Sequence, residues 1–309
     1  MFGSHLSIAG GLANAIHGAL RLKMDCVQVF TKNQRQWKAP ALNDAEVSAW
    51  NAALREAGWH SKRSGTRTVS HTSYLINLAS PDTDVRARSI ELMRIEIDRC
   101  EALGIPCVVV HPGAHLGASR PASAPNRLRE KPTADELAGL QRIIAALDQI
   151  HGELPGHKTV TCLETTVGSG TNLGYDFGQL KLIREGVTKP ERLAYCFDTC
   201  HVTAAGYDLS TDSMAAAVFQ EWDECCGLKH IRVVHCNDSV GACGSRKDRH
   251  AHIGHGTCGI SCFRAIVNHP LLANVPKVLE TPKEENARGI PWDTLNLRRL
   301  RRLGGPKCD

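Results

Sequence analysis

Four histidines and three carboxylates recur at one kind of position in this chain. Short runs of β-branched or small apolar residues close on His5, His71, His111, Glu164, Asp198, His235 and Glu280, and one more closes on Phe30. Two further clusters extend the set. Asp198-Thr199-Cys200-His201 puts a second donor one turn past a strand end, and Asp248-Arg249-His250 offers a carboxylate and an imidazole on one extended loop. Imidazole nitrogen with carboxylate oxygen, and no thiolate, suits a catalytic zinc or manganese rather than a structural four-cysteine site. Cys236 should point away from its neighbour His235, because successive side chains of a strand alternate. A single histidine at a strand end is more often a hydrogen-bonded core residue. Seven donors at one edge reverse that reading, since charged groups are seldom buried unless paired or metal-bound.

Such residues converge only if the runs that carry them lie side by side and parallel. Strands are predicted at 2–6, 26–30, 67–71, 107–111, 158–164, 194–198, 231–235 and 277–280. Helices are predicted at 11–22, 43–57, 83–102, 134–151, 176–184, 213–226, 259–268 and 284–303. Asn43-Asp44, Pro81-Asp82 and Thr133 supply helix-start signals. Eight alternating strand–helix units predict a single (β/α)8 TIM barrel over residues 1–309, with the active site at the strand C-termini. An open doubly wound sheet would carry a glycine-rich phosphate turn after its first strand. Gly10-Gly11 follow that strand, but no GxGxxG is present. Residues 112–133, rich in Pro, Ser, Arg and Ala, read as a loop insertion.

The composition fits that architecture. Of 309 residues, 42% are hydrophobic and 22% charged, near globular averages, and only 5% are aromatic, so the core must rest on aliphatic side chains. No apolar run approaches the ~20 residues of a membrane span, and the N-terminus lacks the pattern of a secretory signal, so a cytoplasmic protein is expected. The net charge of +5 is compatible with a polyanionic partner without proving one. Thirteen cysteines contain no CxxC pair, which excludes zinc-ribbon and thioredoxin spacings. Most are expected to be small, buried and reduced, with Cys308 as an exception.

Several segments carry a specific resemblance. HTSYLINL (71–78), HPGAHL (111–116), FDTCHVTAAGYDL (197–209), HCNDS (235–239) and GSRKDRH (244–250) resemble the endonuclease IV family, trinuclear-zinc AP endonucleases of DNA base-excision repair. AGGLANA (9–15), TKNQRQWKAP (31–40), GSGTNLGYDF (168–177) and VLETP (278–282) continue the likeness in order along nearly the whole chain. The resemblance implies a xylose-isomerase-like barrel. Its first zinc would take His71, His111 and Glu164; its second would share Glu164 and add Asp198, His235 and Glu280; its third would take His201, Asp248 and His250. Manganese at one site is compatible with these donors. Glu164, Glu280 and His111 are the expected catalytic residues. Arg35, Tyr74 and Leu75 are expected to enter the DNA beside the lesion, an aromatic–apolar pair suited to a wedge. Lys32, Arg246 and Lys247 are candidate phosphate contacts. Thr165 departs from the family pattern, standing where many relatives have Asn.

The activity that the resemblance implies is hydrolysis of the phosphodiester 5′ to an abasic site in double-stranded DNA, leaving a 3′-hydroxyl and a 5′-deoxyribose phosphate. Cleaning of blocked 3′ ends and a monomeric state are also expected. The charge balance agrees: three dications against Glu164, Asp198, Asp248 and Glu280 leave two positive charges, which one hydroxide and one phosphodiester would offset. Two other readings compete. A barrel sugar isomerase or epimerase would use one or two metals and lack the Asp248-x-His250 pair and the Arg35 loop. A lesion-binding protein without catalysis would be expected to have lost a donor.

Overall fold

The first strand pairs with the last, and that pairing closes the sheet. In the computed structural model, which describes residues 1–60 and 67–304, Phe2 lies opposite Lys277 and Ser4 opposite Leu279. The strands are β1 (Phe2–His5), β2 (Cys26–Val29), β3 (Thr68–His71), β4 (Cys107–Val110), β5 (Val160–Glu164), β6 (Leu193–Asp198) and β7 (Ile231–His235), then β8 (Asp238–Ser239), β9 (His250–Ala251) and β10 (Lys277–Leu279). All but β8 and β9 form one closed parallel barrel in the order β1-β10-β7-β6-β5-β4-β3-β2. The helices are α1 (Ala13–Arg21), α2 (Asp44–Glu56), α3 (Thr83–Leu103), α4 (Ala134–Glu153), α5 (Phe177–Gly186), α6 (Thr199–Ala205), α7 (Asp212–Cys225), α8 (Ile260–Asn268) and α9 (Trp292–Leu303). No helix among the described residues is long and apolar enough to cross a membrane.

Local chemistry sets the boundaries. Asn43 and Thr133 open α2 and α4 through reciprocal capping boxes with Glu46 and Glu136. The Asp82 carboxylate receives the Asp84 and Val85 N–H groups at the start of α3, and Gly104 ends that helix in the left-handed conformation. Barrel strands are covered on both faces, so they read as continuous apolar runs without alternation. Val69, Cys107, Val109, Cys162, Ala194, Cys196, Val233 and Val278 fill the barrel interior. Cysteine therefore serves here as a small core residue. The described cysteines are unbridged, and all but Cys225 and Cys243 are buried. Cys308 lies outside the described residues.

The structure departs from expectation in three places. The last helix starts at Trp292, not 284, because residues 284–291 fold back on themselves, with Asn286 N–H donating to the Ile290 carbonyl and Pro291 standing at the helix cap. Helix α6 has no counterpart among the expected elements; it follows β6 without a linker. The β8–β9 hairpin has two residues per strand, too few to give an alternating pattern. The 112–133 segment is pinned to the barrel: Asn126 donates to the Val167 and Ala205 carbonyls, and Arg129 N–H donates to Asp176.

Candidate metal centre

Glu164, the last residue of β5, stands fully buried at the middle of the barrel mouth. Its Oε2 lies 3.1 Å from His71 Nε2 and 3.0 Å from His111 Nε2. Its Oε1 lies 2.8 Å from His235 Nδ1 and 3.4 Å from His201 Nδ1. The barrel register sets up this convergence. Asp198 is paired directly with His235 across β6 and β7, and Val278 with His235 across β10 and β7, which leaves Glu280 just past the strand end.

The donor atoms form three groups, each within 4.8 Å: His71, His111 and Glu164; Glu164, Asp198, His235 and Glu280; and His201, Asp248 and His250. Glu164 belongs to the first two, one oxygen toward each. Two other combinations, Glu164–Cys196–His235 and Asp198–Cys200–His250, substitute a thiol. Burial pushes both thiols up to about 12, which opposes the deprotonation a thiolate ligand requires. The oxygen–nitrogen sets are the better donors.

The donors fit divalent ions. His201 Nε2 and His250 Nε2 face each other at 3.4 Å, and Asp248 Oδ1 lies 3.3 and 3.4 Å from the two rings. Two ring nitrogens and a carboxylate aimed at one point make a cation cradle. Burial alone would raise the Asp248 carboxyl, but the His201 hydrogen bond and the neighbouring imidazoles draw it down to about 2. Burial likewise opposes ionisation of Glu164, yet His235, His111 and His201 hold it well below the usual carboxylate range. His201 is raised well above its ordinary value, because Asp198, Asp248 and Glu164 outweigh the cost of burial. Carboxylates this closely grouped require positive charge beside them, which protonated imidazoles or bound cations can supply.

The surrounding atoms fix how each donor is presented. His71 Nδ1 lies 2.9 Å from the Thr72 carbonyl, His201 Nδ1 2.8 Å from that of Thr165, and His250 Nδ1 3.2 Å from that of Glu280. An N–H donated there leaves Nε2 facing the centre in all three. Asn237, which sequence reasoning missed, donates from Nδ2 to Asp198 Oδ2 at 2.7 Å and accepts the Glu280 N–H at 2.7 Å. Thr165 is accommodated through its hydroxyl, which accepts the Asp198 N–H. The short hairpin sets His250 opposite Ser239. Buried Asp238 gathers the N–H groups of Ser239, Gly254, Gly256 and Cys258, which anchors the loop beyond it. His5 reaches the same rim, 3.4 Å from Glu280 Oε1, but joins none of the three groups.

Two clefts open on this rim, and Tyr74 lines both. One, about 730 Å³, is also lined by Arg35, His250 and Glu280. The other, about 360 Å³, is lined by His71, His111 and Asp248. Tyr74 is 63% exposed, with its ring 5.5 Å from that of Phe30; Arg35 is exposed and Leu75 half-buried. The loops that carry them are laced together, because Ser73 Oγ donates to the Gln34 carbonyl at 2.7 Å. Two expected phosphate contacts point inward instead. Lys32 is buried, donates to the Asn33 and Gln36 carbonyls and sits 4.0 Å from Glu96. Arg246 is buried among the carbonyls of Gly168, Pro121 and Ala124. Lys247 is exposed.

Comparison with known proteins agrees with this geometry. The family described as xylose isomerase-like TIM barrel matches residues 16–301. A probable endonuclease 4 from Chloroflexus aggregans is 40% identical over 302 residues, covering 98% of this chain and 97% of the relative. The crystal structure of endonuclease IV from Thermus thermophilus superposes with a TM-score of 0.79 at 31% identity, covering 98% of each chain. A D-tagatose 3-epimerase-like protein shares the fold at a TM-score of 0.68 and 19% identity, over 98% of this chain and 96% of that one. Sharing the barrel of endonuclease IV and 40% identity with a probable endonuclease 4 over nearly its whole length, the chain belongs to the endonuclease IV family of xylose isomerase-like TIM barrels.

Proposed function

We propose that this chain is an AP endonuclease that hydrolyses the phosphodiester 5′ to an abasic site in duplex DNA, leaving a 3′-hydroxyl and a 5′-deoxyribose phosphate, and that it also cleans blocked 3′ ends. The observation that carries the reading is Glu164, whose two oxygens serve two adjacent donor groups beside a third. The 40% identity to a probable endonuclease 4 supports the same substrate class. Residues 1–309 act as one barrel, as a monomer in the cytoplasm.

His71, His111 and Glu164 would hold one zinc, Glu164, Asp198, His235 and Glu280 a second, and His201, Asp248 and His250 a third, with manganese as an alternative at one site. Divalent ions there supply Lewis acidity toward phosphoryl oxygens and lower the pKa of water. Glu164, Glu280 and His111 are the catalytic residues. The His111 side chain is 33% exposed against 3% for His71, so it forms the mouth of the smaller cleft where a phosphate enters. Glu280 stands on the wall of the larger cleft.

Donors at the bottom of a barrel mouth cannot reach a sugar stacked within a duplex, so the nucleotide must be extruded, at a cost on the order of a few kcal/mol that is lowest where no base is stacked. Arg35, Tyr74 and Leu75, on two loops tied at Ser73 and Gln34, fill the gap left in the helix. The epimerase reading shares the fold alone, and the His201–Asp248–His250 group favours the nuclease. The complete donor set speaks against a protein that only binds lesions.

The test is incision of a duplex carrying one tetrahydrofuran abasic analogue, without added magnesium. A single nick 5′ to the analogue, lost on prolonged chelation and restored by zinc, is expected. An intact duplex from fully metallated protein would overturn the proposal and direct attention to sugars or to binding alone.

A further inference from the structure

Strand β2 leads to Phe30, an apolar residue that offers no donor to the rim. Within the strand stands Gln28, fully buried at 0% exposure, and both ends of its amide are engaged. Nε2 lies 2.7 Å from Glu280 Oε1 and 3.0 Å from His5 Nδ1, and Oε1 lies 2.8 Å from His235 Nε2. The neighbours fix the direction of the amide. An ionised carboxylate only accepts, so the atom facing Glu280 is the NH2. The reverse orientation would press a carbonyl oxygen against a carboxylate. The Gln28 carbonyl therefore faces His235 Nε2, and that nitrogen must carry hydrogen.

The other ring nitrogen, Nδ1, then faces the centre, 2.8 Å from Glu164 Oε1, 3.2 Å from Glu280 Oε2 and 3.7 Å from Asp198 Oδ2. His71, His201 and His250 use the opposite arrangement, with Nδ1 on a backbone carbonyl. Among the described residues His235 has no such backbone carbonyl partner, and the side chain of Gln28 takes that place.

We infer that Gln28 is a positioning residue of the second donor group: its carbonyl holds His235 in the tautomer whose Nδ1 lone pair faces the centre, while its NH2 orients the Glu280 carboxylate. One side chain on a strand without ligands thus sets two ligands at the ends of two other strands. The inference rests on the reading of His235 and Glu280 as metal ligands. Loss of an outer partner of this kind typically lowers metal affinity about 10–100-fold.

Two variants of the full-length protein test it. Gln28→Met keeps the length of the side chain without its amide. Gln28→Glu keeps an acceptor for His235 but sets a second carboxyl against Glu280. Zinc retention is measured by mass spectrometry across a chelator series, and the His235 tautomer by long-range 1H–15N NMR of the zinc-loaded protein. Q28M is expected to release an ion at about 10–100-fold lower chelator than the wild type and to lose the single Nε2–H signature. Q28E is expected to lose chelator resistance but keep that signature. Unchanged chelator resistance and tautomer in Q28M overturn the inference; if Q28M does not fold, wild-type retention in Q28E does so. A wild-type chain that takes up no zinc would overturn the ligand set itself, a separate result.

Discussion

Asp198 Oδ1 accepts the backbone N–H of His201 at 2.8 Å, so one carboxylate ends β6, caps α6 and positions the next candidate donor. Its other oxygen stays with Asn237 and the second donor group. The two duties are separable by substitution. Asn caps a helix about as well as Asp, whereas Ala forfeits about 1 kcal/mol. Asp198→Asn should therefore melt close to the wild type in metal-free buffer, and Asp198→Ala about 1–2 °C lower. Both should bind less metal. Equal melting of the two variants, followed by calorimetry, would remove the capping role.

Tyr74 is exposed and carries little of the fold. Tyr74→Ala should change stability by less than about 0.5 kcal/mol and keep full zinc content, yet lose most discrimination between abasic and intact duplex. Competition binding with the two duplexes is the measurement. Unchanged discrimination would take Tyr74 out of the wedge.

The rim loops rest on a buried acid. Glu96 accepts the Ser73 N–H at 3.0 Å and sits beside Lys32. Burial raises its carboxyl to about 7, against the pull of Ser73 and Lys32. A carboxyl with a raised folded-state pKa favours the native state most below its unfolded value. That contribution fades as pH climbs from about 4.5 to about 7. Wild-type stability should thus fall relative to Glu96→Gln across this window, by an amount on the order of 3 kcal/mol. Urea denaturation of both proteins at several pH values checks it. A difference that is flat, or that grows with pH, would contradict the assignment.

Much of the site could be read from strand ends. His71, Glu164, Asp198 and His235 each close a run of apolar residues and stand where parallel strands bring their ends together. The barrel was legible for the same reason. What escaped depends on partners distant in sequence. Lys32 reads as a surface cation until Glu96, on α3, is seen beneath it. Gln28 reads as a polar interruption of β2 until His235 and Glu280 arrive from across the barrel. Helix α6 was hidden because its cap is also a strand residue, Asp198.

Lys247 and Lys32 should part company in salt titrations. Each phosphate contact contributes a slope of about 0.9 in the logarithm of affinity against that of salt. Lys247→Ala should flatten the slope by roughly that amount. Lys32→Met should leave it unchanged, since Lys32 is buried beneath its loop. A reduced slope for Lys32→Met would reinstate it as a phosphate contact.

The sharing of Glu164 between two of the three donor groups is the central feature of the proposed metal centre, and counting ions tests it most directly. Zinc per chain would be measured by mass spectrometry on the wild type and on Glu164→Gln after dialysis against a weak chelator. The wild type should hold one ion for each of the three groups. Glu164→Gln should retain only the ion of His201, Asp248 and His250, which does not include Glu164. A variant that keeps the wild-type count, or a wild type that holds a single ion, would contradict a shared carboxylate.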